Sequence, residues 1–251
     1  MNDISASAKG RTVRTANPHH DLGSAATLWL LNGKSVSEND LQHFAAWLGP
    51  SETSRLACFT RTVRRRQFLL GRVLLRFAVA NITGLASDEF SVLEKCGEGP
   101  QLSFHDRSYP APNFSLSHSG DWVACVVSTA AVLGVDIEVN RVDRDFDALC
   151  SFAFQAREQV WLGTRPHSER SAAFYLLWCM REALYKLQCN LGLDSDVSAL
   201  VGKENSDNSL PGIYPYQVPA GDLGLTAVVL TSRRLSVIRQ ILLTGFGTAD
   251  V

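Results

Sequence analysis

Apolar positions recur along this chain with two different spacings, and the switches between them mark its elements. Residues 26–31 predict a first strand, ended by Asn32 and Gly33. Ser37, followed by Glu38 and Asp40, opens a helix expected over 41–48 and stopped by Gly49 and Pro50. Over 61–82 the spacing becomes helical. Val63, Leu70, Val73, Leu74, Phe77 and Asn81 fall on one side, and Arg61, Arg65, Arg72 and Arg76 on the other. Short strands are predicted at 91–95, 113–117, 122–128 and 132–139, with turns at 96–100, 119–121 and 129–130. A helical or irregular stretch is expected over 145–161. A second long helix is expected over 169–188, with Ala173, Leu177, Met180, Leu184 and Leu187 as its core stripe. Residues 225–230 and 235–243 read as a closing hairpin.

Each half therefore carries strands around one long helix. The expected fold is α+β, with two similar lobes related by a pseudo-twofold, each a small, mostly antiparallel sheet packed on a long helix. The expected division is a flexible arm at 1–24, an N-terminal lobe at 25–131 and a C-terminal lobe at 132–251.

Composition narrows the function classes. The chain has 251 residues, 45% hydrophobic and 20% charged, as an ordinary globular protein does. Its net charge of −1 argues against a general nucleic-acid-binding surface. No apolar run reaches the ~18 residues that a membrane helix needs. The first residues lack the apolar centre of a secretory signal, and the six cysteines form no CxxC pair. A cytoplasmic protein is expected. Six arginines lie between Arg61 and Arg76 without one Asp or Glu among them. Their planar forks suit phosphates and acidic partners.

The candidate chemistry sits in two places. Asp136 and Glu138 share one face of a strand, while Val135, Ile137 and Val139 face the core. Glu182 and Lys186 follow at i, i+4 on the second long helix. Three acids and a cation make a parts list for a divalent ion on a diphosphate, since Mg2+ shares itself between carboxylates and phosphates. The plainer alternatives are a solvated strand end and a surface pair between Glu182 and Lys186. Separately, His118 lies between Ser117 and Ser119 at a turn, which offers several donors to an anion.

In their order along the chain these pieces resemble the 4′-phosphopantetheinyl transferases, in particular the larger, single-chain, surfactin-synthetase-activating type. The resemblance rests on residues 68–76, on Gly99 and Pro100, on 117–122, on 134–138 and on 178–186, trailed by Gly192 and Leu193. It implies coenzyme A in the cleft between two lobes. Asp136, Glu138 and Glu182 would hold Mg2+, with Mn2+ as a substitute, on the C-terminal lobe. Lys186 would contact the diphosphate, and Ser117 and His118 the 3′-phosphate, helped by Arg66 and Arg72. Two positions depart from the family pattern: Arg181 and Gly99 stand where lysine is frequent.

The implied reaction moves the phosphopantetheine arm of coenzyme A onto a serine of an acidic acyl or peptidyl carrier protein, releasing adenosine 3′,5′-bisphosphate. Glu182 and Glu158 are both candidates for taking the serine proton. A monomer is expected, with neither nucleic acid nor membrane as partner. Two other classes fit the same acids: a Mg2+-dependent phosphohydrolase, and a carrier-binding module without activity.

Overall fold

The structure is a computed structural model that describes residues 25–87, 89–94, 99–106, 110–141, 143–193 and 212–245. The expected arm at 1–24, Cys96 and most of the 96–100 turn lie outside these. Among the described residues are nine strands and six helices.

Strand β1 (Ala25–Asn32) sits inside a four-stranded sheet ordered β4-β5-β1-β9. Its neighbours are β5 (Trp122–Ser128), antiparallel, and β9 (Val237–Leu243), parallel. The outer strand β4 (Asn113–Ser119) forms a hairpin with β5 through Gly120, whose φ of 55° suits glycine. A second sheet is ordered β6-β8-β7, from β6 (Leu133–Val139), β8 (Leu225–Thr231) and β7 (Tyr214–Val218). The short pair β2 (Phe90–Leu93) and β3 (Gln101–Phe104) stands apart.

Alternation along the strands assigns their faces. Trp29, Leu31, Val123, Cys125 and Val127 pack toward helix α3 (Thr62–Thr83). Leu28, Leu30, Ala124 and Val126 point the other way, onto Val135, Ile137, Ala227 and Val229 of the second sheet. The far side of that sheet, with Val228 and Leu230, meets Cys179, Ala183 and Leu187 of helix α6 (His167–Leu191). The layers run α3, sheet, sheet, α6. This is the α+β arrangement expected, one long helix to each small sheet.

The remaining helices are local covers. Helix α1 (Glu38–Ala45) is capped by Ser37 and packs on α3. Helix α2 (Pro50–Ala57) begins at the Gly49–Pro50 pair that predicts a stop: Pro50 fits the first helical position, and the Glu52 carboxylate accepts from the Gly49 N–H (2.9 Å). Helices α4 (Phe146–Ala153) and α5 (Ala156–Gly163) build an aromatic cluster with Phe174 and Tyr175 of α6.

Three expectations are corrected. Residues 225–230 and 235–243 do not form a hairpin; β8 pairs with β6 and β7, while β9 crosses to β1 of the first sheet. The arginine side of α3 is not a continuous anion-binding face, because α2 and the β2–β3 pair cover part of it. There Arg72 and Arg76 are 7% and 4% exposed, paired with Glu94 and Glu52. The buried side of α6 is also turned from the expected stripe, with Cys179 and Ala183 at its centre and Ala173, Leu177 and Met180 on its flanks.

Candidate active site at the seam between the sheets

The edge strands β4 and β6 meet side by side, and serines close the seam. An edge strand presents N–H groups that need partners. The hydroxyls of Ser115, Ser117 and Ser119 accept from the N–H groups of Val135 (3.1 Å), Ile137 (3.2 Å) and Val139 (3.0 Å). Side chains of one strand thus replace the backbone ladder of a parallel neighbour. From α6, the Asn190 amide donates to Phe114 O of β4 (3.0 Å) and to Leu133 O of β6 (2.7 Å).

Behind the seam α6 lies very close to β6. A Cβ on Gly134 would stand 1.9 Å from Ala183 O, so glycine is required there. The close approach brings Glu182 and Lys186 to the face carrying Asp136 and Glu138. The Lys186 ammonium donates to Val135 O (2.9 Å) and to Asp136 Oδ1 (2.7 Å). Ser117 donates to the same Oδ1 (2.8 Å), and Ser119 to Glu138 Oε2 (2.6 Å). The other Asp136 oxygen, Oδ2, is buried without a well-formed hydrogen bond, and the Cys179 thiol lies against this carboxyl.

Among the described residues Glu182 has no hydrogen bond or ion pair, so the surface pair with Lys186 is not formed. Burial raises the pKa of its carboxyl above the usual carboxylate value, and the nearby charge of Asp136 raises it further. Burial likewise raises the Glu138 carboxyl, with Asp136 adding to the effect and the Ser119 bond opposing it. Beneath them the buried Cys179 thiol is pushed up by burial first, then by Asp136 and Glu138.

This donor set suits a hard divalent cation: carboxylate oxygens, one of them buried without a well-formed hydrogen bond, with mutual repulsion to relieve. Yet among the described residues no three His, Cys, Asp or Glu side chains converge closely enough to hold a metal by themselves. Waters and phosphate oxygens would have to complete the shell, which is how Mg2+ is commonly held.

His118 is on the opposite face of β4 from the serines. Its ring is exposed at the rim, and Nη1 of Arg64 lies 2.8 Å from Nε2. Desolvation of its inward side, then the Arg64 charge, lowers its pKa to about 4. Ser117, by contrast, is buried and its hydroxyl is engaged at the seam. Arg66 donates to Gly33 O (2.8 Å) and Val36 O (2.5 Å) and pairs with Glu38. Arg72 lies against Glu94 and over the Phe68 ring. In Glu158 the carboxylate caps α5 through the Gln155 N–H (2.7 Å) and holds Arg181 (2.7 Å).

The structure therefore gathers Asp136, Glu138, Glu182 and Lys186, and engages Arg66, Arg72 and Glu158 elsewhere. Sequence reasoning missed Arg64, Ser115 and Asn190, and it reads Ser119 as an anion donor, whereas its hydroxyl is engaged by Glu138 and the Val139 N–H. The period-two serines of β4 were a readable signal, since polar residues on an inward strand face must find partners.

Comparison with known proteins bears on both halves. A family model described as 4′-phosphopantetheinyl transferase superfamily matches residues 132–211. Another, described as 4′-phosphopantetheinyl transferase, N-terminal, matches residues 35–130. The chain is 33% identical over 150 residues to the 4′-phosphopantetheinyl transferase psf-1 of Bacillus pumilus, covering 59% of this chain and 60% of that one. It is 29% identical over 150 residues to HetI of Nostoc, covering 59% and 62%. With Sfp of Bacillus subtilis it shares 26% over 165 residues, covering 64% and 70%. The matches to the first two span about 60% of those relatives' own length.

Proposed function

This chain belongs to the 4′-phosphopantetheinyl transferase superfamily, and we propose that it moves the phosphopantetheine arm of coenzyme A onto a serine of an acyl or peptidyl carrier protein. The observation that carries this reading is Asp136 at the seam. One of its oxygens is held by Lys186 and Ser117, and the other is buried without a well-formed hydrogen bond beside two further acids.

Asp136, Glu138 and Glu182 would hold Mg2+, or Mn2+ in its place, and the bound cation would neutralise diphosphate charge. Lys186, fixed by Val135 O and Asp136, is positioned as a preorganised cation for the same diphosphate. The carrier serine oxygen attacks the β-phosphorus, the bond to the adenosine 5′-phosphate breaks, and adenosine 3′,5′-bisphosphate leaves. The serine proton would pass to Glu182, whose carboxylate makes no hydrogen bond or ion pair among the described residues. Glu158 is the weaker base, since Arg181 and the start of α5 occupy it. Positioning and charge supply most of the rate in such phosphoryl-centred reactions.

His118 would take the 3′-phosphate together with Arg64, which touches its ring. The exposed arginines Arg61, Arg64 and Arg65 support an acidic carrier as partner. Among the described residues no helix is long and apolar enough to cross a membrane, and the proposal is of a cytoplasmic monomer.

Release of adenosine 3′,5′-bisphosphate from coenzyme A, followed by chromatography with and without a carrier, tests the reaction class. A transferase releases it only when a carrier serine is present. Equal release without carrier would identify a phosphohydrolase, and no release in either case a binding module.

A further inference from the structure

Each candidate ligand on β6 has one oxygen held by the protein. On Asp136, Oδ1 receives Ser117 and Lys186 while Oδ2 has no well-formed hydrogen bond. On Glu138, Oε2 receives Ser119. The donors themselves are fixed. The N–H groups of Ile137 and Val139 take a lone pair of each serine hydroxyl, which turns its hydrogen toward the carboxylate. Ser115 makes the same backbone contact, to Val135 N–H, and touches no carboxylate among the described residues.

We infer that Ser117 and Ser119 are positioning residues that limit Asp136 and Glu138 to one free oxygen each, so that the site selects Mg2+ over Ca2+. The inference rests on the cation reading above and names the device within it. Ca2+ takes about six to eight oxygens and favours bidentate carboxylates, whereas Mg2+ takes six in tight octahedral geometry and keeps several waters. A carboxylate with one oxygen tied to a fixed hydroxyl cannot swing to present both. It can still give one oxygen to a small ion whose other positions are filled by water and phosphate. The seam thus does two jobs with one side chain, closing the edge of β6 and setting how its acids bind.

The test is calorimetric titration of the full chain, in coenzyme A and without carrier, by Mg2+ and separately by Ca2+. Ser119→Ala frees Glu138, and the ratio of Mg2+ to Ca2+ affinity is expected to fall about tenfold, the scale on which partners of metal ligands act. Ser119→Thr keeps the hydroxyl and should keep the ratio. Ser115→Ala removes a seam contact of the same kind but frees no carboxylate, so it should also keep the ratio. An unchanged ratio in Ser119→Ala, or an equal fall in Ser115→Ala, overturns the inference and leaves the serines as a strap between strands. Failure of the unaltered chain to bind either ion would overturn the cation reading itself, and this inference with it.

Discussion

The Nζ of Lys186 lies 2.7 Å from Oδ1 of Asp136, on another element, rather than pairing with Glu182 one turn back on its own helix. That choice ties α6 to β6 and leaves Glu182 without a partner among the described residues. The two acids thus differ in setting: Asp136 is held by the protein, and Glu182 makes no hydrogen bond or ion pair among the described residues.

The first prediction concerns Glu182. Burial, and then Asp136, raise the folded-state pKa of Glu182, so the folded chain holds its proton more tightly than the unfolded chain. Ionised Glu182 therefore works against folding at neutral pH, and the penalty fades as pH falls through the raised value. In chelator at pH 7.5, Glu182→Gln should melt higher than the unaltered chain. The gain is a few degrees at most, since about 1 kcal/mol moves Tm by ~2–4 °C at this size. The two melting curves should converge below the usual carboxylate range. Scanning calorimetry across pH checks this; a lower Tm for Glu182→Gln at pH 7.5 would mean the carboxylate has a stabilising partner.

His118 gives the second. With a pKa near 4 its ring is neutral at pH 7 in the free protein. A bound 3′-phosphate would favour the protonated ring, so the imidazole resonances should titrate at higher pH with coenzyme A than without. His118→Ala should weaken coenzyme A by about one to two decades, the worth of one charge-assisted bond of ~1.5–3 kcal/mol. The 3′-dephospho form should be nearly unaffected. Equal losses for the two ligands would assign His118 to the diphosphate or to the fold.

How far the sequence could be read follows from the range of each signal. The periods of β1, β5, β6, α3 and α6 are local, and their elements lie within a few residues of expectation. The hairpin turn at Gly120 and the alternation of Asp136 with Glu138 are local too. What failed was partner choice. The apolar run of β9 predicted a strand, but nothing in it distinguishes β8 beside it from β1 at the far end of the chain. Arg76 reads as part of an anion-binding face because its counter-charge, Glu52, lies 24 positions earlier on a helix that the Gly49–Pro50 pair argues against. That Glu182 has no partner among the described residues was hidden for the same reason, since Lys186 had a closer partner in space than in sequence.

Two glycines of similar appearance should respond oppositely. A Cβ at Gly134 would meet backbone atoms of α6, 1.9 Å from Ala183 O and 2.7 Å from Leu187 N. Gly134→Ala should therefore cost about 1–3 kcal/mol or more through overpacking. It should also push Glu182 and Lys186 away from β6 and lower activity in whatever folds. At Gly71, inside α3, the nearest atom to a Cβ is Val123 Cγ1 at an ordinary 3.8 Å. Gly71→Ala should be neutral or stabilise by up to ~1 kcal/mol through helix propensity. Urea midpoints compare the two directly.

The buried charge cluster is a further test of the fold. Glu52 is fully buried, accepts from Arg76 Nη1 (2.8 Å), lies 3.8 Å from Arg72 and caps α2 through the Gly49 N–H (2.9 Å). Glu52→Gln leaves buried guanidinium charge uncompensated and should cost about 3–5 kcal/mol. A urea midpoint shift far below that would mean the arginines reach solvent or Glu94 instead.

The central claim is transfer to a carrier through Asp136, and intact-mass spectrometry of a carrier protein incubated with coenzyme A and Mg2+ tests it most directly. With the unaltered chain the carrier should gain one phosphopantetheine arm, about 340 Da, on its serine as a phosphoester. With Asp136→Asn, similar in shape but without the charge, the rate should fall by about 10²–10³-fold, the scale of losing one preorganised charge contact. A carrier of unchanged mass with the unaltered chain would contradict the assignment of function. A full rate with Asp136→Asn would contradict the assignment of the site.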